Sequence, residues 1–224
     1  MTDTDAITIH LTLKNKKTAD GRTIQSCLTA GLNEARYITA RHTDTGIPDP
    51  SNQHGHPNRW TGAMCYMTIL DQIGSCYRPK QTPVITDSCC PNQNGRFKAS
   101  AIEKALRYFS NLSDGHICAL YALRNSFVHD FALMNKNSNR PTLQHHFLVD
   151  ASATEPLVKL PQNIWDGNIQ NLNMANATYV NLQALGDLVE EIYKILTDLH
   201  SKKELVLVLD GGEAELLRRY SFIY

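Results

Sequence analysis

Apolar residues recur every three or four positions over most of the chain and alternate only in short stretches. Residues 6–13 (AITIHLTL) alternate, which predicts a short half-buried strand. Leu28, Leu32, Ala35 and Ile38 set a helical period from Thr23 to His42. Three prolines and two glycines between Thr43 and Arg59 then predict a long functional or mobile loop. Trp60 to Cys76 is apolar on most sides, as a central bundle helix would be. A Pro/Asn/Gly/Cys loop over about 79–98 leads to a helix over about 99–111. Ser113 is placed to cap a further helix over 113–135. Its core stripe is Leu120, Leu123, Phe127, Phe131 and Met134, and Ala119, Ala122 and Ser126 offer a small-residue face. LQHHFLVD and PLVKLP read as two short strands, a β excursion over about 143–161. A long helix is predicted over about 170–202. A strand over 204–209, ended by Gly211-Gly212, is expected to pair with the 6–13 strand. The pattern therefore predicts one mainly α domain over 1–224. It is a bundle of four to five helices with its helical core over about 23–202, a small β excursion and short terminal strands.

Composition narrows the function. The 224 residues are 42% apolar and 20% charged, which excludes a disordered chain. Lys and Arg number 22 against 22 Asp and Glu, so nucleic-acid binding through a broad basic field is excluded, whereas a local basic site is not. No apolar run has the length of a membrane span, and the opening MTDTDAITIHLTLKNKK lacks the order of a signal peptide. Six cysteines occur without a Cys-x2-Cys pair, and Cys65, Cys76 and Cys118 sit in apolar helical patterns as small hydrophobes. A reduced cytoplasmic protein without a metal site or cofactor is the expectation. Cys89-Cys90 stands in a loop with no role assigned. His54 and His56, with His42 nearby, read as solvated loop histidines rather than ligands.

The chemistry concentrates in the 113–135 helix, where Arg124, Asn125 and His129 stand among apolar and small residues. Asn125 and His129 are four apart, close enough to share a face and a hydrogen bond that would fix the imidazole. Arg124 lies about 140° around an α-helix from His129 and would have to swing toward it. Asp130 could hold Arg124 or cap the site. Asp71, the one carboxylate in the 60–76 helix, is a candidate partner for Arg124. Histidine can move a proton at neutral pH, and guanidinium matches phosphate oxygens. RNA supplies its own 2′-hydroxyl nucleophile, so neither a protein nucleophile nor a metal is obligatory. One histidine cannot easily perform both proton transfers; two copies across a twofold axis can. Lys136, Arg140, His145 and His146 could form a basic rim for RNA phosphates. The plain structural alternative pairs Arg124 with Asp71 or Asp130 and leaves His129 as a satisfied core histidine.

The string Arg124-Asn125-Ser126-Phe127-Val128-His129 resembles the signature of the HEPN superfamily: Arg, four to six residues, then His, often with Asn directly after the Arg. The resemblance implies an α-helical bundle that dimerises to form a composite site. It also implies a metal-independent endoribonuclease, acting as a toxin or as a defence or stress component, for which an antitoxin or other protein is a possible partner. Arg124 and His129 would be catalytic, with Asn125 and Asp130 in support. The alternative implied by the same family is a catalytically inactive dimer that binds a protein or a nucleotide.

Overall fold

The computed structural model describes residues 5–12, 16–17, 21–51, 60–90, 97–150 and 154–224. The protein is 51% helix and 16% strand, a mixed α/β fold with seven α-helices and three small sheets among the described residues, not the helical bundle expected. In chain order the elements are α1 (Ala6–Leu11), β1 (Lys16–Lys17), β2 (Thr23–Ser26), α2 (Cys27–Ile38), α3 (Trp60–Cys76), β3 (Tyr77–Pro79), α4 (Ala101–Phe109) and α5 (Asp114–Asn125). They continue with β4 (Met134–Asn135), β5 (His145–Asp150), β6 (Val158–Lys159), β7 (Thr178–Asn181), α6 (Leu182–Ser201), β8 (Leu205–Leu207), α7 (Gly212–Tyr220) and β9 (Ser221–Ile223).

The largest sheet runs β4-β5-β7-β6, with β5 and β7 parallel and the other pairs antiparallel. This is the excursion the sequence announces, enlarged by β7 and by β4, which takes the end of the span expected to be helix over 113–135. Residues 170–181 were expected to begin the long helix. Instead the side chains of Asn168 and Asn173 cap two 3₁₀ turns, and β7 then pairs with β5 before α6 starts at Leu182. Asn side chains that bond nearby backbone amides compete with helix, and four of them lie between 168 and 176. Asn181 finally starts α6, its side-chain oxygen accepting from Gln183 N and Ala184 N.

The terminal strands are corrected more sharply. Residues 6–11 form a helix, begun by Asp5, whose Oδ1 accepts from Thr8 N at 2.6 Å. Its buried residues are Ala6, His10 and Leu11, a helical face, because so short a segment satisfies both periods. β8 forms where the 204–209 strand was expected, but it pairs with β3, directly after α3. The first and last described helices still meet, α1 packing on α7, and nearby β9 pairs with β2, with Thr23 N donating to Tyr224 O at 2.7 Å. No helix among the described residues is long and apolar enough to cross a membrane.

The core lies around α3, where Tyr66, Met67, Leu70 and Ile73 are fully buried against α2, α4 and α6. α4 approaches so closely that a Cβ on Gly74 would stand 1.8 Å from Ala101 O. Ion pairs made by two buried arginines fasten α2 and the segment after it to α6. Arg36 meets Glu190 through Nε (2.9 Å) and Nη2 (2.7 Å), and Arg41 meets Asp187 at 2.7 Å.

Cysteine usage also departs from expectation. Cys118 of α5 is joined to Cys90 by a disulfide, with Cα atoms 5.5 Å apart. Cys89 is free, and burial, reinforced by the charges of Glu103 and Asp114, pushes its thiol up to about 12.

Candidate active site

Two helices build the site. Ser113 caps α5 as expected, accepting from His116 N, and α5 runs regularly to Asn125. There the backbone widens into a π-helical turn, Ser126–Asp130. Ser126 Oγ donates back to Ala122 O at 3.2 Å, a local bond that tends to bend helices. The turn ends at Phe131 in the left-handed region (φ 50°), whose N–H donates to Phe127 O, while Ala132 N donates to Ser126 O. A left-handed non-glycine residue costs roughly 1–2 kcal/mol, and such strain and π turns both concentrate at functional sites.

The π turn decides the geometry. In an α-helix positions five apart diverge, whereas an i to i+5 turn brings them into line. Arg124 Nη1 lies 3.3 Å from His129 Nε2 without having to reach around the helix. The same Nη1 donates to Asn125 Oδ1 at 3.2 Å, so Asn125 supports the guanidinium rather than the imidazole. Arginine can only donate, so in this contact Nε2 is the acceptor. The ring is exposed.

From α3, Asp71 Oδ2 accepts from Arg124 Nε at 2.6 Å, the pairing the sequence suggested. The two side chains are 21% and 23% exposed. Burial raises the Asp71 carboxyl above its ordinary value; the Arg124 bond and charge, and the Ile102 N–H at the start of α4, act against that rise. Among the described residues Arg124 Nη2 makes no hydrogen bond and remains a free donor. Asp130 is exposed on the π turn and, among the described residues, neither holds Arg124 nor caps it.

The expected rim does not gather around this pair as free donors. Arg140 lies over the rings of Phe97 and Tyr121 and donates through Nη2 to Ser88 Oγ (3.0 Å) and Cys90 O (2.8 Å). His145 is buried between Thr178 Oγ1 (2.8 Å) and Thr142 O (3.0 Å), and burial lowers its pKa. His146 Nε2 is bonded to Asn176 Oδ1 at 2.6 Å. Lys136 is exposed in a shallow pocket with Asp166 and Gln170. His54 and His56 lie outside the described residues, and His42 is exposed beside Asp49.

Sequence reasoning missed an aromatic row. The Phe127 ring lies 5.2 Å from Trp60, and Phe131 is stacked on the same indole at 6.4 Å and 29°. Phe131 and Met134 were expected in the core stripe; the stripe stops at Phe127 because the π turn ends at Phe131 and turns the chain away from the helix axis. Phe131 is instead 63% exposed, two residues from His129. A separation of five between Arg124 and His129 is compatible with a π turn but does not specify one, and the exposure of Phe131 follows from that turn. In comparisons with known proteins, no family model, no curated protein and no solved structure matches this chain.

Proposed function

We propose that the protein is an endoribonuclease of HEPN type that cleaves RNA by transesterification through the 2′-hydroxyl and needs no metal for that step. One observation carries the reading: a guanidinium with a free donor, held by Asp71, stands 3.3 Å from the acceptor nitrogen of an exposed imidazole. In this reaction Arg124 Nη1 leaves His129 Nε2 for the phosphate, and the lone pair so freed takes the proton of the 2′-hydroxyl as its oxygen attacks the adjacent phosphorus. Arg124 Nη2 donates to a non-bridging oxygen as charge builds there. The departing 5′-oxygen takes its proton from His129 of the partner subunit in a homodimer. The products are a 2′,3′-cyclic phosphate and a 5′-hydroxyl. The exposed face of Phe131 offers a neighbouring base a ring to stack on. Because positive and negative charges balance, binding rests on these few groups and is weak without a partner, in keeping with a toxin or defence component controlled by an antitoxin.

The test uses disulfide-intact protein and RNA in EDTA. Wild type is expected to leave cyclic-phosphate ends. His129→Ala should slow cleavage by roughly 10²–10⁴-fold and Arg124→Ala by roughly 10²–10³-fold. Variants that cut as fast as wild type would refute the proposal. The Arg124–Asp71 bond, which ties α5 to α3, favours a second reading: a silent binding module in which the pair is a brace. An inactive wild type, with Arg124→Ala melting well below it, would establish that reading instead.

A further inference from the structure

Three sulfur atoms converge where the loop before α4 passes the first turns of α5. The ligand atoms of Cys89, Cys90 and Cys118 all lie within 4.8 Å of one another, and Cys89 Sγ stands 4.0 Å from Cys90 Sγ. Neighbouring groups fix this loop. Glu103, fully buried, accepts from Ser88 Oγ and from Cys89 N (3.1 Å), and its second oxygen accepts from Ser100 N (2.8 Å). Arg140 holds Ser88 and Cys90 from the other side. Cys89 and Cys118 also line a cavity of about 280 Å³ together with Asp114 and His145.

We propose that reduction of the Cys90–Cys118 disulfide converts this cluster into a three-thiolate site for a soft divalent cation of the zinc type, with its fourth position open to the cavity. The chemistry balances with a thiol or phosphine reductant. Two electrons and two protons open the disulfide to two thiols, and the reductant becomes a disulfide or phosphine oxide (its oxygen from water). The cation then displaces one proton from each of three thiols. Tetrahedral bonds of about 2.3 Å place sulfurs roughly 3.8 Å apart, so Cys89 already stands near the required spacing from Cys90, and Cys118 has to separate from Cys90 and settle within reach of both. The carboxylates of Glu103 and Asp114 make the surroundings favourable to a cation, and the Arg140 guanidinium offsets the excess charge of three thiolates. Hydrogen bonds to the backbone of the ligand loop supply the outer support that such sites need. His145 has both ring nitrogens engaged, which leaves the fourth position to Asp114, water or a ligand from the cavity. The disulfide and the metal are thus alternative staples between the same loop and α5.

The experiment is an anaerobic titration of the phosphine-reduced full chain with Co²⁺ alone. One equivalent should produce thiolate-to-cobalt charge-transfer absorption that Zn²⁺ then bleaches, and the oxidised protein should show none. Cys89→Ser should reduce the band by about a third and weaken binding at least ~10-fold. That residue lies outside the disulfide, so the variant stays folded even if Cys118→Ser does not. A Cys27→Ser/Cys65→Ser protein should titrate like wild type. Absence of the band in reduced protein, a band that survives unchanged in Cys89→Ser, or one lost with Cys27 and Cys65 would overturn the proposal.

Discussion

At the scale of single residues, Asp71 best separates positioning from stability. An exposed ion pair adds little to stability, and a half-buried one must first overcome desolvation. For Asp71 desolvation prevails, since its carboxyl is raised despite the 2.6 Å bond from Arg124. The pair therefore contributes little net stability, and what it does contribute is direction: Nε is tied back, and Nη1 and Nη2 are turned toward His129 and solvent. Asp71→Asn, which keeps an acceptor of the same shape, should change unfolding free energy by less than about 1 kcal/mol. It should nevertheless lower kcat for RNA cleavage by roughly 10-fold through loss of guanidinium orientation. Paired melting and single-turnover measurements check this. A large loss of stability with unaltered cleavage would make Asp71 a brace only.

Among the elements, α3 and α4 show how the site depends on packing at a distance from it. Gly74 admits the backbone of α4 at Ala101, and the next residue of α4, Ile102, directs its N–H at Asp71. Gly74→Ala has to drive the two helices apart, because the clash is with backbone and no side chain can yield. We expect a loss of about 1–3 kcal/mol in urea unfolding, in contrast to the gain that Gly→Ala gives on an exposed helix. An unchanged midpoint would show that the helices have slack. The long, strongly periodic helices were legible in the sequence: α3 occupies the span its apolar pattern marks, and Ser113 starts α5. Short segments were not. In 6–11 a period of two and a period of 3.6 cannot be distinguished, and β7 was hidden in an asparagine-rich stretch adjoining a helix. Strand partners were misread for a related reason, since pairing of β8 with β3 is decided by tertiary position. The Arg124–His129 pair was legible as a spacing, and Asp71 as a lone acid in an apolar helix. The π turn that joins the pair, and the meeting of Cys90 with Cys118, depend on how the backbone is routed, and no local pattern encodes that.

For the whole molecule, the joining of the two chain ends makes stability depend on a neutral histidine. His10 of α1 is fully buried, with Nδ1 2.6 Å from Tyr77 Oη and Nε2 accepting from Gln72 Nε2 at 2.8 Å. The Tyr220 ring from α7 lies 6.1 Å away. One imidazole thus touches the first helix, the central helix and its following strand, and the last helix. Burial lowers its pKa from 6.5 to about 4. The unfolded chain therefore binds a proton below pH 6.5 that the native state refuses until pH is near 4. Stability from this group is complete above pH 6.5, and it is lost as pH falls through that window, by roughly 3 kcal/mol in all. His145, whose pKa is also lowered by burial, adds a loss of the same sign. Denaturant titrations at pH 7.5 and 4.5 should show wild type losing a large part of its stability. His10→Gln, which keeps hydrogen-bonding capacity but cannot take up the proton, starts lower at pH 7.5 and should fall less between the two values. Hydrogen exchange at pH 4.5 should then open α1 and α7 before α3, because protonation acts where the ends are joined. Equal slopes in the two proteins would mean that His10 is solvated in the native state and that the union of the chain ends does not rest on it.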